Sequence, residues 1–135
     1  MFARRLGAAL LVLAAVMATT AIGVKAHADR QEDQVRLAAE MTYQAIRMFV
    51  AEDGSMPNSV MARTRTGHYF YEFLPHSRWL KNAYTSETTE PRDWSEMLEG
   101  QPVHGGVYVF YQETEAQCLI VGFGRKSKEL YRRMY

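Results

Sequence analysis

The chain is short of the residues that make covalent or metal-held scaffolds. It carries one cysteine, Cys118, in 135 residues, so no disulfide can form within it. That cysteine lies inside the apolar run CLIVGF, where a small buried hydrophobe is expected rather than a reactive thiol. The histidines are His27, His68, His76 and His104; none is paired at a spacing of three to five and none partners the cysteine, which argues against a structural zinc site. No Gly-x-Ser-x-Gly elbow and no glycine-rich phosphate loop occurs, and no internal repeat appears. Acidic residues are absent from the first 28 positions. Residues 29–135 therefore hold thirteen of the sixteen basic residues and all fifteen acidic ones, a net of −2, which removes the electrostatic reason to hold nucleic acid.

Charge of either sign is missing from Leu6 to Val24. As a helix this run spans about 28 Å, close to the roughly 30 Å hydrocarbon core of a bilayer. Arg4 and Arg5 precede it, so residues 1–5 are expected to stay cytoplasmic while the remainder is translocated. The run ends at KAHAD, and Ala26-x-Ala28 before Asp29 has the form of a signal-peptide cleavage site. Two outcomes stand side by side. Residues 6–24 remain as a single-pass anchor in the cytoplasmic membrane with the following domain outside the cytoplasm, or cleavage between Ala28 and Asp29 frees a periplasmic or secreted domain. A run of about 19 residues exceeds the usual apolar core of a signal peptide, which favours the anchor.

Glycine and proline are also missing from residues 24–53. Val35, Ala38, Thr42, Ala45, Ile46 and Phe49 recur there at spacings of three and four, with Met41 and Met48 widening the stripe, which predicts an amphipathic helix over 28–51. Joined to the apolar run it makes one helix of about 45 residues, too long to be the core of so small a domain by itself. Gly54 and Pro57 stop it. Glu52 and Asp53 then read as a solvated cap, not as a catalytic acid pair. Residues 52–103 are an irregular stretch. HYFYEFL within it is a short strand or a helical turn, and Trp94 to Leu98 a short helix; Trp79 and Trp94 are expected to clamp the loop to the sheet. GVYVFYQ and CLIVGF, joined by ETEAQ, predict a β-hairpin over 104–124 with Val107, Val109 and Tyr111 on one face and Tyr108 and Phe110 on the other. Residues 125–135 are a tail or a last strand. The fold class is α+β: a long N-terminal helix against a small antiparallel sheet in an exported domain of residues 25–135. Ala38, Ala45, Ile46 and Phe49 should bury against Val107, Val109, Ile120 and Val121.

Four stretches together resemble the type IV pilin family, and most of all the major pseudopilins of type II secretion systems: ADRQ at 28–31, YQAIRMFVAEDGSMP at 43–57, LKNAYTSE at 80–87, and GGVYVFYQ…CLIVGFGRKSKEL at 105–130. The prepilin N-terminus is degenerate. Gly7 is followed by Ala8 instead of Phe, and the fifth position after it is Val12 instead of Glu. The family's processing site and the carboxylate that registers subunits are thus missing. Ala83 and Ser86 replace the Pro and Gly of the middle motif, and Met56 stands where Tyr is usual.

The resemblance implies a non-enzymatic structural subunit of a type II secretion or pilus-related assembly, partnered by the membrane and by copies of itself or other pilin-like chains, with no small-molecule substrate and no cofactor. Leu10, Leu11, Leu13 and Val16 would meet lipid or neighbouring helices. Calcium-binding pseudopilins place carboxylates before the terminal hairpin, where this chain has Glu87, Glu90 and Asp93. A calcium ion needs six to eight oxygens. The Asp-x-Asp-x-Asp spacing is missing, which favours a solvated acidic loop.

Overall fold

A computed structural model describes the backbone of residues 2–135 and the side chains of residues 16–135. The chain divides into two units, Met1–Arg30 and Gln31–Tyr135. It is an α+β protein with one long N-terminal helix, α1, spanning Phe2–Asp53. The absence of Gly and Pro after Gly23 leaves nothing to break it, and it stops where Gly54 adopts a φ of +75° and donates its N–H to the Val50 carbonyl at 2.8 Å. The helix thus ends two residues beyond the expected Ala51.

Six strands follow: β1 (Leu80–Lys81), β2 (Thr88–Glu90), β3 (Arg92–Asp93), β4 (Val107–Gln112), β5 (Gln117–Phe123) and β6 (Glu129–Met134). β1 and β2 form a small antiparallel pair; the larger sheet has the order β3-β4-β5-β6. β4 and β5 are the expected hairpin, in the register Val107↔Gly122 to Gln112↔Gln117. The C-terminal segment is a strand paired antiparallel to β5, not a tail, and β3 joins β4 in parallel. Phe70–Phe73 within HYFYEFL is a 3-10 turn, as is Trp94–Glu96.

The sheet separates two apolar clusters. On one face Val107, Val109, Cys118 and Ile120 pack with Val35, Ala38, Ala39, Ala45, Ile46 and Phe49 of α1, joined by Val60, Phe70 and Leu74. On the other, Tyr108, Val121 and Phe123 pack with Trp94, Met97 and Leu119. Val121 therefore does not meet the helix as expected. It stands opposite Tyr108 in the register and shares that residue's face, because side chains alternate along a strand. Trp94 does clamp its loop to the sheet, lying edge-on to Tyr108 and Phe110 with ring centroids 6.2 and 6.1 Å away. Trp79 instead packs beside Tyr71 at the margin of the helix-side core. Gly122 faces the helix closely: a Cβ there would lie 3.0 Å from Val35 Cγ1 and 3.5 Å from Ala39 Cβ.

Candidate functional site

The resemblance to pilin-like subunits directs attention to the apolar surface that the fold leaves open. In the first unit Val16 is 57% and Ile22 70% exposed, and Met17 and Val24 are exposed as well. Leu10, Leu11 and Leu13 lie outside the residues whose side chains are described. Among the described residues, no helix is long and apolar enough to cross a membrane; much of the 6–24 run precedes Val16. Ala28 and Asp29 lie within α1, with Asp29 exposed.

In the second unit α1 has a buried side and an open side. Leu37 and Met48 are exposed, with Met41 partly buried between them. Residues 37, 41, 44 and 48 follow helical spacing, so they share one face, which carries Leu, Met, Gln and Met. Met48 was expected to widen the core stripe. It does not, because the sheet covers only the sector centred on Ala38, Ala45 and Phe49.

The carboxylates of the middle loop are employed one by one. Glu90 is fully buried; its Oε1 accepts hydrogen bonds from Arg92 Nε at 3.0 Å and from the Val107 N–H at 3.1 Å, and its Oε2 accepts from the Thr89 hydroxyl at 2.6 Å. It joins the β2–β3 segment to the start of β4. Asp93 accepts from the Val60 N–H and the Ser59 hydroxyl, both at 2.8 Å, which ties the turn after α1 to the sheet. Glu87 is exposed, and its carbonyl accepts from the Asn82 N–H. Among the described residues no group of three or more His, Cys, Asp or Glu side chains is arranged to hold a metal.

Sequence reasoning missed three polar clusters, since each joins residues far apart in the chain. Asn82 is buried; its amide donates to the His104 carbonyl at 2.8 Å while its Oδ1 accepts from the N–H groups of Tyr84 and Thr85. Glu40 on α1 accepts from the Tyr131 hydroxyl at 2.6 Å and from Arg133 Nη1 at 3.0 and 3.1 Å, and that guanidinium lies 3.7 Å over the Tyr43 ring. The hydrogen bonds from Tyr131 and then Gln44, with Arg133 beside them, hold the Glu40 carboxyl below its ordinary pKa. Burial, with the bond to Glu40, pushes the Tyr131 hydroxyl up to about 12.

The third cluster adds to the reading of Glu52 and Asp53 as a solvated cap: Glu52 is exposed, but both carboxylates hold partners in the following turn. Glu52 accepts from the Thr66 hydroxyl and faces His68 Nδ1. Asp53, with its side chain only 8% exposed, accepts from the Ser55 hydroxyl and from the Arg65 N–H at 2.7 Å. Both carboxyls are held below their ordinary pKa values, Glu52 chiefly by Thr66 and Asp53 chiefly by Ser55. The chain doubles back after Pro57, and the last turn of α1 becomes the anchor for the turn at 63–68.

Cys118 is fully buried, and burial pushes its thiol up to about 12. Comparison with protein-family models, curated proteins and solved structures finds no match.

Proposed function

We propose that the chain is a non-enzymatic, pilin-like structural subunit, similar to a major pseudopilin of a type II secretion or pilus-related system. It is anchored in the cytoplasmic membrane by its N-terminal run and acts by packing. The observation that carries this reading is the 52-residue α1, whose described N-terminal part exposes Val16, Met17, Ile22 and Val24. Burying a side chain of this size returns about 1.5–3 kcal/mol, so a lipid or protein environment for this stretch is strongly favoured over water. The exposed Leu37 and Met48 of the second unit, with the partly buried Met41 between them, support helix-to-helix contact outside the membrane. A calcium ion is not part of the proposal, since Glu90 and Asp93 already serve internal partners.

The test is the N-terminus of the native protein. Mass spectrometry of the membrane fraction should recover an intact peptide containing Leu10 to Val16. A soluble protein beginning at Asp29 would overturn the anchored subunit and leave a freely exported binding or accessory domain. Turnover of a substrate by the purified chain would undo both readings.

A further inference from the structure

The large sheet has an incomplete edge. β3 pairs only with Tyr108 and Val109, and the chain then turns away at Trp94. Beyond that point β4 continues through Phe110, Tyr111 and Gln112 with no strand outside it among the described residues. The direction of its free groups follows from the ladder. Val107 donates its N–H outward, to Glu90, and main-chain groups alternate sides, so Tyr111 also faces outward. Cys118, opposite Tyr111, exchanges both its main-chain hydrogen bonds with Tyr135. The Tyr111 N–H and C=O are therefore an unfilled rung.

That rung opens onto a cleft of about 710 Å³. Pro57–Val60 and Phe70 contribute one part of its lining and Trp94 and Phe110 another; Phe110 is 39% exposed. Asp93 fixes the Ser59–Val60 wall through its two hydrogen bonds. The lining includes Glu113 and Asp93, the latter with both carboxylate oxygens engaged by Ser59 and Val60, and no Lys, Arg or His. An open ladder position, the apolar surface of Pro57, Val60, Phe70, Trp94 and Phe110 set among Asn58, Ser59, Ser95 and Thr114, and the acid of Glu113 point to an occupant: a short, extended backbone with small apolar side chains and a cation.

We infer that the β4 edge is a strand-acceptor groove for an extended peptide segment of a partner protein carrying Lys or Arg beside aliphatic residues. The segment adds to the sheet at Tyr111, taking up the line that β3 leaves, and sets its cation against Glu113. This is independent of the membrane anchor and holds for either fate of the N-terminus.

The full chain, in detergent if it purifies with membranes, is titrated with acetyl-Val-Arg-Val-Arg-Val-amide. The expected result is protection of the Tyr111 amide from hydrogen exchange together with a change in Trp fluorescence that Trp94→Phe removes. Two further probes carry N-methyl groups on alternate residues, one on the first, third and fifth and the other on the second and fourth. One of these should bind at least about tenfold more weakly and the other should not, because only one set of amides faces the ladder. The Glu-for-Arg peptide should bind several-fold more weakly than the basic one, and Glu113→Lys should reverse that preference. No Tyr111 protection at millimolar peptide overturns the inference. So does an equal effect of the two N-methyl patterns, or Tyr111 protection that grows with protein concentration in the absence of peptide, which would make a second copy the occupant.

Discussion

Glu90 joins the β2–β3 segment to β4 from a fully buried position. A buried carboxylate is tolerable only when its lone pairs are filled, and here Arg92, Thr89 and the Val107 N–H fill them. Glu90→Ala leaves that N–H and Arg92 without their acceptor and should lower the unfolding free energy by about 3 kcal/mol in urea titration, whereas Glu90→Gln, which keeps one acceptor oxygen, should cost less. Cys118 provides a second test at this scale. A thiol held up to about 12 by burial presents almost no thiolate at neutral pH. Iodoacetamide should leave the native protein unlabelled and alkylate it fully in denaturant. Labelling of the native protein at the denatured rate would show that the helix-side core opens freely. The burial of Cys118 was legible in its apolar run, whereas Glu90 sits in a polar run and only the return of β4 makes its site dry.

Among the elements, β6 has an attachment that depends on pH at both ends of the scale. It is an edge strand held to α1 through Tyr131 and Arg133 on Glu40. The Glu40 pKa is lowered on folding, so its contribution is complete above the ordinary carboxylate pKa and is lost as pH falls through the folded value. Tyr131 is raised from 10.0 to about 12, so its contribution is complete below pH 10 and is lost as pH rises through about 12. Thermal melts should therefore fall at both ends of the pH scale, and Glu40→Gln should flatten the acid limb. An acid limb unchanged by that substitution would assign it to other carboxylates. The helix-to-sheet spacing gives a further check. Gly122→Val places two methyl groups where a single Cβ already meets Val35 at 3.0 Å, and should cost about 1–3 kcal/mol through overpacking. Val35→Ala in the same background should recover part of that loss.

At the scale of the whole molecule, Leu37 and Met48 are the apolar helix positions at which copies packing through α1 would touch. If copies pack through α1, single cysteines at Leu37 and Met48 should cross-link between chains in native membranes, while Cys118 stays unreactive. Cross-linking no stronger than at the exposed control Glu99 would leave the open helix face without a partner chain. Much of the architecture was already legible in the sequence. The long helix follows from thirty residues without Gly or Pro and from apolar positions every three or four; the β4–β5 hairpin follows from alternation on either side of a polar turn. These are local regularities, and short-range sterics and periodic burial suffice to produce them. Tertiary structure alone decided that residues 129–134 close the sheet as a strand, that Val121 faces away from α1, that Glu52 and Asp53 hold the 63–68 turn, and that β3 stops short and leaves Tyr111 open. Each of these depends on which partner a strand edge or a carboxylate finds after the chain has folded back across tens of residues, and neither composition nor spacing encodes that encounter.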